Sequence, residues 1–118
     1  MSKALSIVGS SRNNGKREID DFYPTPAYAV AELLHREKFH GEIWECACGD
    51  GAISDVLKIN GYNVRSTDLV NRGYGEKEDF LKSDYVTDNI ITNPPFKLAL
   101  EFVEKSKTNS TKKIAMFL

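Results

Sequence analysis

The stretch from Glu42 to Leu69 constrains the fold more than any other part of this sequence. EIWECA (Glu42 to Ala47) is an apolar run of strand length, CGDG is a glycine turn, and Ile53, Val56, Leu57 and Ile59 recur at helical spacing. Asn60 and Gly61 close that helix, and NVRSTDL (Asn63 to Leu69) reads as a second strand ending on a carboxylate, Asp68. Two strands joined by a crossover helix must pair in parallel, because a hairpin has no room for the helix.

The alternation continues on both sides. Upstream, Pro24 and Pro26 punctuate an extended DFYPTP segment, and Ala29, Val30, Leu33 and Leu34 predict a helix up to about Lys38, before the break at Gly41. Downstream, Val70 to Tyr85 is broken by Gly and Asn around a small EDFL element, and Asp88 to Thr92 reads as a strand running into Asn93-Pro94-Pro95-Phe96. Lys97 to Lys107 has a helical pattern, Thr108 to Thr111 reads as a loop, and KIAMFL (Lys113 to Leu118) begins another strand. The expected fold is α/β: a doubly wound, Rossmann-like, mostly parallel sheet covered on both faces. Residues 1–20 have no sustained period, and Lys3, Arg12, Lys16 and Arg17 outnumber Glu18 and Asp20, so they read as a flexible basic arm ahead of a domain over 21–118.

Composition narrows the class. With 118 residues, one small domain is expected, and the net charge of -1 lacks the basic excess that by itself marks a nucleic-acid binder. No apolar run is long enough to span a bilayer and no signal-peptide core precedes residue 20, so the expectation is a cytoplasmic protein without a membrane partner. Cys46 and Cys48, two positions apart, fit neither an ordinary disulfide nor a CxxC knuckle and read as small buried thiols in a reducing compartment. His35 and His40 add no convincing zinc set, and no metal is expected.

In doubly wound sheets ligands bind where strands end, which singles out Glu45 to Gly51, Asp68, and Asn93 to Phe96. Gly49 and Gly51 let the backbone turn sharply and approach a ligand, and Asp68 is placed to accept from ribose hydroxyls. A nucleoside cofactor is implied. A dinucleotide fingerprint is one version of this pattern, weakened by Ser54 at the third glycine position, and an ordinary tight turn is the other. At Asn93-Pro94-Pro95-Phe96 two prolines end the strand and present the Pro94 carbonyl beside the Asn93 side chain. Two acceptors can bind both hydrogens of a ring-conjugated amine and turn its lone pair out of the ring plane. Phe96 offers a face for a base swung out of its helix, although Pro-Pro as a simple strand terminator and Phe96 as core remain open.

In this order, the segments resemble class I S-adenosylmethionine-dependent methyltransferases, most closely the N6-adenine DNA methyltransferases of bacteria and their phages, from about Asp21 to Leu118. The resemblance implies that Tyr23, Thr25 and Pro26 meet the methionine end of S-adenosyl-L-methionine, with Glu45, Ala47, Gly49 and Gly51 forming its glycine-rich loop. Asp68 with Leu69 matches the ribose-binding position and Asp79 with Phe80 the adenine-contacting pair. Asn93, Pro94, Pro95 and Phe96 match the catalytic motif, with Asn93 also touching the cofactor. Cys46 stands where the family usually has Pro. The implied activity is methyl transfer to the N6 amine of adenine in DNA, with DNA as partner; a protein glutamine or an RNA base is the alternative acceptor, and a cofactor-binding but inactive remnant is a third reading. Because the family's domain continues past this strand, the sheet is expected to be C-terminally incomplete. KIAMFL would then lie at an open edge that a second copy could cover as a homo-oligomer.

Overall fold

Trp44 and its two neighbours on β2 (Ile43–Glu45) are all buried, as expected of a strand covered on both faces and flanked on both sides. The computed structural model describes the backbone of residues 4–8 and all of residues 23–118. In chain order it contains β1 (Ala4–Val8), α1 (Ala27–Arg36), β2, α2 (Ala52–Ile59), β3 (Val64–Asp68), β4 (Glu76–Lys77), β5 (Thr87–Thr92), α3 (Ala99–Asn109) and β6 (Ser110–Phe117). Short 3₁₀ turns lie at Phe80–Lys82 and Phe96–Leu98. The strands form one sheet in the order β1-β6-β5-β2-β3-β4, every pairing parallel. The fold is Rossmann-like α/β.

Strand geometry divides the core in two. Successive side chains point to opposite faces, so Ile43, Ile91, Ala115 and Phe117 pack with Val30 and Leu33 of α1 and Ile53 and Leu57 of α2. Trp44, Ile90, Ile114 and Met116 pack on the other face with Phe80 and with Phe102 of α3. Edge-on ring contacts at 5.2 Å (Trp44 to Phe80) and 5.3 Å (Trp44 to Tyr85) hold the second layer, and the Trp44 indole N–H donates to Thr67 Oγ1 at 2.9 Å.

Three expectations are corrected. Ala4–Val8, expected within a flexible arm, is a strand in register with β6, Leu5 opposite Ile114 and Ile7 opposite Met116; residues 1–3 and 9–22, the rest of the expected arm with Asp21 and Phe22, lie outside the described residues. In consequence β6 is not an open edge, since β1 and β5 flank it, and the pairing surface invoked for a second copy is occupied. The loop expected over Thr108 to Thr111 does not exist, because α3 runs to Asn109 and β6 starts at Ser110. Both residues are buried: Asn109 Nδ2 donates to the carbonyls of Ser83 and Tyr85, and Ser110 Oγ to that of Ser106. Their polarity serves internal hydrogen bonds, not solvent.

Candidate functional site

From β2 the chain runs through α2 to β3 on one side, while β5 returns to the other side of β2, so the strand order reverses there. A cleft of about 810 Å³, its open mouth included, lies at this reversal, bounded by the carboxyl ends of β2, β3 and β5. Ten of the residues singled out from the sequence form its wall: Tyr23, Thr25, Glu45, Ala47, Asp68, Leu69, Asp79, Phe80, Asn93 and Pro95. Pro26, Gly49, Gly51, Pro94 and Phe96 do not. Pro26 precedes α1, the glycines lie in the turn behind the wall, Pro94 is buried, and Phe96 is 67% exposed.

The turn after β2 is held by backbone and carboxylate together. Gly49 and Gly51 have left-handed φ of 54° and 94°, conformations that disfavour a side chain, and Gly51 leads directly into α2. The Cys48 N–H donates to the Thr67 carbonyl at 2.9 Å, tying the turn to β3. Asp68 is the second tie: its Oδ2 accepts from the Gly49 N–H at 2.8 Å and its Oδ1 from the Val70 N–H at 2.9 Å. Each oxygen keeps a second acceptor site, and the residue lines the cleft, so one carboxylate can both shape the turn and receive hydroxyls.

Glu45 is buried at the end of β2. Its Oε1 accepts from the Ala47 N–H at 3.0 Å and from the Thr92 hydroxyl at 2.5 Å, yet burial pushes its carboxyl up to about 8, with the nearby Asp68 charge adding to the effect. Between the ordinary carboxylate value of 4.5 and about 8 the folded chain holds a proton that the unfolded chain has released. Stability is therefore highest below that window and falls as pH rises through it. Glu45→Gln mimics the protonated form. Urea melts should show the variant gaining on the wild type as pH goes from 5 to 8, and parallel pH profiles would refute the shift.

Asn93 follows β5 directly. Its Nδ2 donates to Thr25 Oγ1 at 3.1 Å and to the Tyr23 carbonyl at 3.4 Å, which orients the amide, and its Oδ1 is buried without a hydrogen-bond partner. An unsatisfied buried acceptor is costly, and on a cleft wall it marks a place where a ligand donor belongs. Asp79 caps the 3₁₀ turn, its Oδ1 accepting from the Leu81 N–H at 3.1 Å.

The strand-end segment Glu45 to Gly51, singled out from the sequence, also brings Cys46, Cys48 and Asp50 to the wall. Cys46 and Cys48 line the cleft, but burial raises the Cys46 thiol and pushes the Cys48 thiol up to about 12, so neither is a thiolate at neutral pH. Leu98 and Phe102 reach the cleft from beyond the Asn93 to Phe96 segment, and Arg72 from the segment after β3, placements that only tertiary structure creates. Asp50, between Gly49 and Gly51 of the segment singled out from the sequence, also lines the cleft. The acidic wall residues Glu45, Asp50, Asp68 and Asp79 thus face a single cationic one, Arg72. Among the described residues no group of three or more His, Cys, Asp or Glu comes together as a metal site, and no helix is long and apolar enough to cross a membrane.

No protein-family model matches the chain, and no curated protein is significantly similar to it in sequence.

Proposed function

We propose that the chain is an S-adenosyl-L-methionine-dependent methyltransferase acting on the exocyclic N6 amine of adenine in DNA. The observation that carries this reading is Asn93 Oδ1, a buried, unpartnered acceptor at the end of β5, oriented by two bonds from its own amide nitrogen.

The cofactor reading is supported by the chemistry of the wall. A dinucleotide would bring a doubly negative pyrophosphate to the glycine turn, where the Asp68 carboxylate stands. With Glu45 protonated, a cationic amino-acid nucleoside still suits Asp50, Asp68 and Asp79 against one guanidinium better. Asp68 would receive the ribose hydroxyls, Asp79 the adenine amine, and Glu45 and the Tyr23 to Thr25 segment the methionine end. When bound, S-adenosylmethionine supplies a methyl group on a sulfonium, an electrophile ready for direct displacement.

The chain's own residues then act on the amine. Asn93 Oδ1 accepts one amine hydrogen, and the resemblance to the methyltransferase family assigns the second to the Pro94 carbonyl. With both hydrogens held, the nitrogen lone pair would leave conjugation and become a nucleophile for the methyl, whose bond to sulfur would break, leaving its electron pair on the thioether, as the N–C bond forms; orientation and fixed dipoles would supply the rate. Asn93 is an amide and takes no proton, so the one released when the N–C bond forms passes to solvent. Phe96, 67% exposed at the start of the 3₁₀ turn after Pro95, would present its ring to a flipped base.

The test is incubation with methyl-labelled S-adenosylmethionine and an adenine-containing duplex, followed by digestion to nucleosides. Label in N6-methyl-2′-deoxyadenosine is expected. Saturable cofactor binding with no transfer to DNA would sink the adenine assignment, and no binding at millimolar cofactor would sink the whole reading.

A further inference from the structure

The segment from Leu69 to Gly75 joins β3 to β4 and supplies cleft wall through Leu69, Val70 and Arg72. Its far end is built around Tyr74, which does not line the cleft. Gly73 and Gly75 have left-handed φ of 84° and 69°, so Tyr74 stands between two positions that favour glycine, and Asn71 Oδ1 accepts from the Gly73 N–H at 2.9 Å. This backbone turns the Tyr74 ring back across the glycine turn. A Cβ added to Gly51 would lie 2.4 Å from the ring, which means that the ring rests on the bare Gly51 backbone. The phenol donates to Asp55 Oδ1 at 2.9 Å and accepts from Lys58 Nζ at 2.9 Å, both on α2, while the Tyr74 carbonyl accepts from Cys48 Sγ at 3.6 Å.

One residue therefore joins three parts: the wall after β3, the glycine turn and the first helix beyond it. Asp68 ties the same parts from the cleft side through the Gly49 and Val70 N–H groups. On the outer side, β4 offers only two residues of pairing to hold the segment. With so little strand pairing at its far end, the wall gains from a further tie that fixes it before the ligand arrives, because ordering it on binding costs affinity.

We propose that Tyr74 is a positioning residue that pre-orders the Leu69 to Gly75 wall against the glycine turn and so sets affinity for the nucleoside end of the cofactor. This rests on the cofactor reading above. Asn93 follows β5, on the other side of β2 from this segment, so the chemical step is untouched.

Calorimetry with S-adenosylmethionine and hydrogen exchange of the 70–75 amides test it together. Tyr74→Ala is expected to bind the cofactor about tenfold more weakly and to exchange those amides faster, with kcat at saturating cofactor within about twofold of wild type. Tyr74→Phe keeps the ring on Gly51 and loses only the hydroxyl links, so it should restore most of the affinity and lose about threefold. Wild-type affinity and exchange in a folded Tyr74→Ala protein would overturn the proposal, as would a fall in kcat as large as the fall in affinity. If Tyr74→Ala does not fold, Tyr74→Phe decides, and wild-type behaviour overturns the proposal. If the wild type binds no S-adenosylmethionine, the cofactor reading has failed, and the exchange of the 70–75 amides alone decides whether Tyr74 orders the wall.

Discussion

Asn93→Ala is expected to lower methyl transfer about 10²- to 10³-fold, the loss typical when one preorganised hydrogen-bond group is removed from a reacting centre. Ala keeps the strand end and both prolines, and removes the buried Oδ1 that meets the amine. It also deletes the two bonds from Nδ2 to Thr25 and Tyr23, so part of the loss comes from slackening the segment before α1. Thr25→Val separates the two contributions. It removes the hydroxyl partner but leaves the acceptor, and its defect should be much the smaller. The measurement is single-turnover transfer at saturating cofactor, where binding differences drop out. A loss under tenfold in Asn93→Ala would mean that the unpartnered oxygen is not where the substrate amine goes.

The second large effect belongs to Asp68. Its carboxylate is offered to the ligand and also holds the Gly49 and Val70 N–H groups, so Asp68→Ala removes the acceptor and the shape of the turn together. With hydrogen bonds to a charged group worth about 1.5–3 kcal/mol each, losing two such bonds to ribose weakens cofactor binding by about 100-fold or more. Asp68→Asn is the informative companion. It has one acceptor oxygen in place of two, so one backbone N–H loses its partner, and binding should fall to an intermediate level. Titration calorimetry reads both variants, with thermal melting to follow the loosened turn. Equal, near-wild-type affinities would assign Asp68 to the architecture alone.

Most of the fold was legible in the sequence where a strand or helix carries its own pattern. Ile43–Glu45 and Thr87–Thr92 are rich in apolar and β-branched residues because both faces of the sheet are covered, and the helices repeat at their own period. The half-buried Val64–Asp68 (VRSTD) was legible from its place between the helix-closing Asn60-Gly61 and the Asp68 carboxylate. Glu76–Lys77 was not legible. Both residues are exposed, and they form a strand only because β3 offers Thr67 and Asp68 as a pairing edge. Asn109 and Ser110 misled for the opposite reason: polar residues ordinarily face water, and these two are buried by hydrogen bonds to partners distant in sequence or one helical turn away. The site divides similarly. Residues at strand ends could be named because topology dictates where strands end, whereas Leu98, Phe102 and Arg72 reach the cleft through packing that no local pattern encodes.

The pairing of β1 with β6 also sets an order of assembly. Leu5 and Ile114 stand opposite one another although nearly the whole described chain separates them, whereas β2 to β3 and β5 to β6 each close over one helix. Contacts so distant along the chain form last, because closing the loop costs entropy before any pairing is gained. During that interval Ile114 to Phe117 present a bare parallel edge. The open edge expected from the sequence is thus confined to the stage before β1 docks, and the native sheet closes it with the chain's own strand.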